Sequence, residues 1–190
     1  MVWVLRPPDL FSSNLTLGEA RWHPNRGRRP EVAVSSVATY EAVGMDVVEL
    51  TRELLAFDTI NPPGNEEALA RHLVPLLQTA GFDVSLVELS TGRPNIVARI
   101  GGSPASDAPP PICFSGHLDT VPLGAAPWTV DPFGREIADG RLYGRGASDM
   151  KSGVAAMVTA AIAEADSARD GPGLLLLLTV GEETGCEGAS

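Results

Sequence analysis

From residue 45 onward, apolar residues recur with a helical period. Val47, Leu50, Leu54 and Leu55 fall on one face over 46–57 and predict a first helix. Asn61-Pro62-Pro63-Gly64-Asn65 breaks the chain. Asn65 is the expected cap of a second helix, with Glu66 and Glu67 in its first turn at the positive end of the dipole. Leu69, Leu73, Leu76, Leu77 and Ala80 make its buried stripe, and Gly81 closes it. Strands are expected over 83–89 and 95–100, then Ile112 to Phe114 after a Ser/Pro/Ala-rich loop. Residues 136–143 suggest a hairpin turning at Asp139-Gly140. A third helix, capped by Ser152, would bury Val154, Met157, Val158, Ala161 and Ile162. Leu174 to Val180 reads as a fully buried strand. Strands alternating with helices predict an α/β fold, a largely parallel sheet with helices on both faces.

The first 44 residues differ. They scatter Pro24, Arg26, Arg28, Arg29 and Pro30 without apolar periodicity, and read as a mobile N-terminal extension. Met45 offers an alternative start, leaving 45–190 as the folded part, and deleting 1–44 is expected to leave stability unchanged.

Charge narrows the partners. The chain has 24 acidic and 14 basic residues, and residues 1–44 hold four and five of them, so 45–190 carry a net −11. Phosphate binding needs clustered Lys and Arg, so the acidic balance argues against nucleic acid as the main partner. Lys151 is the only lysine. The longest apolar runs, Val154 to Ala163 and Leu174 to Leu178, are far short of the roughly 20 residues that cross a bilayer. Cys113 and Cys186 make no disulfide framework, so a reducing, cytoplasmic compartment is expected.

Three clusters carry candidate chemistry. Gly116-His117-Leu118-Asp119 and Glu182-Glu183 each follow an apolar strand, and Asp149 precedes the third helix. Ligands of an open α/β sheet bind at the carboxyl ends of its strands, so these residues are expected along one edge. An imidazole among carboxylates is a ligand set for zinc or another borderline divalent metal. His117 and Asp119 point the same way on extended backbone, and Asp119 can fix the ring by accepting its other N–H. Adjacent glutamates on extended backbone diverge, so one can bind metal while the other acts as general base. The spacing does not say which. Gly144-Arg145-Gly146-Ala147-Ser148-Asp149 begins like a dinucleotide loop but has Asp where the third glycine belongs.

These residues also sit in longer stretches. Phe114-Ser115-Gly116-His117-Leu118-Asp119-Thr120-Val121-Pro122 resembles the first metal motif of the metallopeptidases that include acetylornithine deacetylase, succinyl-diaminopimelate desuccinylase, aminoacylase and glutamate carboxypeptidase. Leu142 to Lys151 resembles their second motif, and Gly181-Glu182-Glu183-Thr184-Gly185 their third. Trp128 to Phe133 and Asp58 to Glu66 are similar to the segments that follow and precede the first. The resemblance implies a dizinc exopeptidase-like catalytic domain with two divalent metal ions, zinc or alternatively cobalt. His117 would bind the first metal, Asp119 orient the site, and Asp149 bridge both metals with a cis peptide bond after it. Glu182 would be the general base and Glu183 a ligand of the second metal. A metal-bound hydroxide would attack the amide carbonyl of a small N-acyl amino acid or peptide.

Relatives are longer, with further ligands downstream and an inserted lid domain through which they often form homodimers. The expectation is an N-terminal part of the catalytic domain, C-terminally incomplete and without the lid. Alone it would be weakly active or inactive, with Leu174 to Val180 short of strand neighbours. The alternative is a truncated, non-catalytic remnant that keeps the metal motifs. A nucleotide-binding module has only the α/β pattern behind it.

Overall fold

The computed structural model describes residues 2–3, 45–103 and 109–190. Strand β1 (Val2–Trp3) precedes two helices, α1 (Val47–Leu55) and α2 (Glu67–Thr79). Strands β2 (Asp83–Ser90), β3 (Arg93–Ile100) and β4 (Ile112–His117) follow, then the small hairpin of β5 (Ile137–Ala138) and β6 (Arg141–Leu142). Helices α3 (Lys151–Ala163) and α4 (Ala165–Arg169) lead to β7 (Leu174–Thr179). Of the segment read as a mobile extension, Val2 and Trp3 pair with Phe114 and Cys113 of β4, and residues 4–44 lie outside the described residues.

The five strands order as β1-β4-β7-β3-β2. The α/β class stands, but the largely parallel sheet does not. Only β4 and β7 run parallel, and the other three pairs are antiparallel. The reason is loop length: two residues, Thr91-Gly92, join β2 to β3, whereas a parallel pair needs a crossover of a dozen or more residues. Among the described residues, the one crossover of that kind runs from β4 through α3 to β7. The strand expected to lack neighbours, β7, is central and hydrogen-bonded to β4 on one side and β3 on the other.

Among the described residues, the helices lie on one face of the sheet rather than on both. Ile96 pairs with Leu178, Ala98 with Leu176 and Ile100 with Leu174, which puts all six on one side of the sheet. The buried residues of all four helices, Leu54, Leu73, Val158 and Ala168 among them, join those six in one apolar cluster. The described helices therefore share one face. Gly116 on β4 faces the same way, and a Cβ there would meet Met157 Cε at 2.6 Å and Met150 Cε at 2.9 Å. Glycine is what lets α3 approach the strand that carries His117.

Local expectations held where they rested on pattern. Helix α1 buries Leu50, Leu54 and Leu55 as expected, although Val47 is exposed, and Asp46, not foreseen as a cap, accepts from Val48 N at 2.7 Å. The β5–β6 turn falls at Asp139-Gly140, both with positive φ. At α2 the outcome differs. The helix begins at Glu67 without a side-chain cap, and Glu66 is fully buried. Its carboxylate accepts from Arg93 Nε at 3.1 Å and Nη2 at 2.9 Å, a pairing 27 residues away that no local pattern reveals. Helix α3 begins at Lys151, one residue before the expected Ser152 cap.

The thiols separate by burial. Cys113 is buried in β4 and burial pushes its pKa up to about 11, whereas Cys186 is exposed. A thiol of that pKa is only roughly a thousandth part thiolate at pH 8, and thiolate is the nucleophile. Iodoacetamide at pH 8 is expected to label one thiol in the native protein and two in urea, counted by mass spectrometry. Rapid double labelling without denaturant would contradict the packing of β4.

Candidate metal centre

The parallel pair positions the site. Strand β4 ends at His117, and β7 runs into Val180-Gly181, so His117, Asp119, Glu182 and Glu183 gather at the carboxyl ends of two neighbouring strands. Gly181, with φ of 75°, turns the chain into a 3₁₀ turn over Glu182–Thr184. The glutamates are thus not on extended backbone and do not diverge. One ligand atom from each of His117, Glu182 and Glu183 lies within 4.8 Å of the others.

Asp119 is the hub of this edge. It is fully buried, and its Oδ2 accepts from Asn61 Nδ2 at 2.9 Å and Glu183 N at 3.1 Å. Its Oδ1 accepts from Glu182 N at 3.2 Å and stands 3.5 Å from His117 Nδ1. His117 Nδ1 is 3.0 Å from the Asp119 backbone oxygen, so Nε2 is the nitrogen turned outward. That Nε2 lies 3.1 Å from Asp149 Oδ1 and 3.9 Å from Glu182 Oε2. Asp149 reaches the edge from the loop before α3, with its side chain 77% exposed and the Asp149–Met150 peptide bond cis.

The protons follow this geometry. Burial opposes a charge on His117, but hydrogen bonds to Asp119 and Asp149 prevail and raise it to about 9. Burial would lift Asp119, yet hydrogen bonds from His117, Asn61 and the two glutamate amides bring it down to about 2. Glu183 is raised, first by burial and then by the Asp149 and Glu182 carboxylates, with His117 opposing. One imidazole thus serves several converging carboxylates. The donor set fits a borderline divalent cation, and the 3.1 Å between His117 Nε2 and Asp149 Oδ1 is near the ~3.3 Å edge spanned by two bonds of about 2.0–2.1 Å on a tetrahedral ion.

Sequence reading missed the supports. Asn61, taken as part of a chain break, donates to Asp119 and to Thr184 Oγ1, both at 2.9 Å. Asn95 accepts from Val180 N and donates to Gly188 O, both at 2.9 Å, and Arg93 reaches Glu187 at 3.5 Å. The start of β3 therefore braces both ends of the glutamate turn. Lys151 is buried, and its Nζ donates to Phe57 O at 2.6 Å, tying the segment after Asp149 to the one before Asn61. Burial lowers its pKa to about 8, against the pull of Asp58.

Residues 113–190 match the model of peptidase family M20/M25/M40. Succinyl-diaminopimelate desuccinylase of Cereibacter sphaeroides is 46% identical over 145 residues, covering 74% of this chain and 36% of that protein. The chain belongs to the M20/M25/M40 peptidase family. A second desuccinylase of this similarity, from Wolbachia pipientis of Culex pipiens, is 38% identical over 143 residues, 74% of this chain and 34% of its own. Among solved structures, human carnosine dipeptidase 1 superposes with a TM-score of 0.60 and 28% identity, covering 73% of this chain and 32% of its own. An M20 family metallo-carboxypeptidase of Sulfolobus solfataricus gives 0.60 and 26% over the same shares. The chain thus spans about a third of the length of the curated family members it matches. Among the described residues, no helix is long and apolar enough to cross a membrane.

Proposed function

We propose that this chain carries the metal centre of a hydrolase that cleaves the amide bond of an N-acyl amino acid or small peptide. The observation that carries the reading is His117, with Nδ1 held by Asp119 and Nε2 facing Asp149 and Glu182 at the carboxyl ends of the parallel strands. His117, Asp149 and Glu183 would hold two divalent ions, zinc or alternatively cobalt. Ions bound there would supply Lewis acidity, polarising the amide carbonyl and lowering the pKa of water. Asp119 keeps the His117 ring in one orientation and, through the amides of Glu182 and Glu183, holds both glutamates against it. Glu182 takes the proton of the attacking water and delivers it to the leaving amine. Membership in the family and similarity to the desuccinylases support the amide substrate. The two free cysteines favour a reducing compartment, in keeping with a cytoplasmic enzyme.

The test is amine release from N-acetyl and N-succinyl amino acids. It is run on the chain as it stands and on a fusion to the remaining two thirds of the C. sphaeroides desuccinylase. Hydrolysis is expected with zinc or cobalt, strongest in the fusion, lost with EDTA and restored by zinc. Release by neither protein, with metal bound, overturns the reading.

A further inference from the structure

The site opens onto a cleft of about 360 Å³ whose wall includes Asp149 and Glu183. The same cleft is also lined by Val121, Trp128, Tyr143 and Arg145. Among the described residues lining it, Arg145 is the one cation. Its guanidinium carbon stands 5.2 Å from the centre of the Trp128 ring, and the Trp128 indole is itself fixed by donating from Nε1 to Leu123 O at 3.0 Å. Nη2 donates to Pro122 O at 2.9 Å, and Nε, though buried, has no hydrogen-bond partner among the described residues. The backbone adds a further hold, with Arg145 N donating to Pro132 O at 2.8 Å. The guanidinium is therefore held over the indole and oriented, with most of its five donors unpaired among the described residues. The chain places this group in a cleft that otherwise carries acids, within a polypeptide of net charge −10.

We propose that Arg145 is a specificity residue that anchors a carboxylate of the substrate in this cleft, an inference that rests on the hydrolase reading above. A stacked guanidinium presents a planar fork matched to a carboxylate, and stacking on the indole lowers the entropy lost when the fork is engaged. Position supports the distance required. Arg145 and Asp149 are four residues apart, so their Cα atoms lie within about 14 Å, which an N-acyl amino acid and two side chains span. The carboxylate is either the one on the amino-acid side of the scissile amide or one at the end of the acyl chain.

The experiment separates these sources. In the zinc-loaded chain with Trp3→Phe and Trp22→Phe, the fluorescence of Trp128 is titrated with N-acetyl-L-alanine, with N-succinyl-L-alanine amide, and with the neutral N-acetyl-L-alanine amide. At least one carboxylate probe is expected to bind about tenfold or more tighter than the neutral amide, and the one that does names the source. Arg145→Met is expected to erase that preference, and Arg145→Lys to keep only part of it. The lysine variant also keeps a cation beside Trp128, which guards against a loop that has merely come loose. Equal affinity for all three probes overturns the proposal, as does a preference that survives in Arg145→Met, which would place the carboxylate on the metal ions. Failure of the hydrolase reading shows separately, as absent amine release from proteins whose probe binding still depends on Arg145.

Discussion

Replacing Glu182 with glutamine is expected to abolish hydrolysis while leaving metal content at the parent level. The amide occupies nearly the same volume but cannot take a proton from water, and a positioned general base is worth roughly 10²–10⁴ in rate. The turn that carries residue 182 should survive, because it is held through backbone: Asp119 accepts from the amides of both Glu182 and Glu183. Glu183→Gln changes a carboxylate proposed as a ligand, and is expected to lower metal content as well as rate. Metal analysis after gel filtration, beside amine release by the zinc-loaded fusion, reads both effects. Equal metal loss in the two variants would contradict the division of labour between these neighbours, whose carboxylates converge in the structure.

The largest effect on stability is expected at a pair without a proposed chemical role. Glu66 is fully buried and Arg93 nearly so, with side-chain exposures of 0% and 12%, and they are joined by two hydrogen bonds. Removing one partner leaves the other charge in a dry setting, which costs about 3–5 kcal/mol. Arg93→Ala or Glu66→Ala should therefore lower Tm by on the order of 10 °C. Two apolar residues strand no charge, so Glu66→Leu with Arg93→Leu should cost less than either single change. Single variants melting within about 2 °C of the parent would show that the pair is solvated. Arg93 also reaches Glu187, and Asn95 two residues on binds Val180 and Gly188, so the Arg93 variant should in addition weaken metal uptake.

The part of the site legible in the sequence was the part that follows strands. His117, Asp119, Glu182 and Glu183 come directly after apolar runs, and the carboxyl ends of parallel strands gather whatever follows them. Their supports were hidden because each acts across a long interval. Asn61 meets Asp119 58 residues away, and Arg93 meets Glu66 27 residues away, by contacts that leave no periodic trace. Asn61 looked like turn chemistry and Glu66 like a first-turn acid at the helix dipole, since local pattern reports the backbone's preference and not the partner.

By itself, then, the sequence determined where helices α1 to α3 and the strands from β2 onward form and which residues could bind a metal, because periodicity and side-chain chemistry are local properties; it missed α4 and β1. Leu69, Leu73 and Leu77 sit on one face of a helix whatever they pack against, and Asp139-Gly140 turns a hairpin wherever it lies. Only the tertiary structure decided strand direction, the single face shared by the helices, and the convergence of Glu182 with Glu183. Those outcomes depend on which strands pair across the sheet. The short Thr91-Gly92 link forces β2 and β3 antiparallel, and the long path through α3 lets β7 lie parallel to β4 between it and β3. That one parallel contact brings residues 117 and 182 to the same edge.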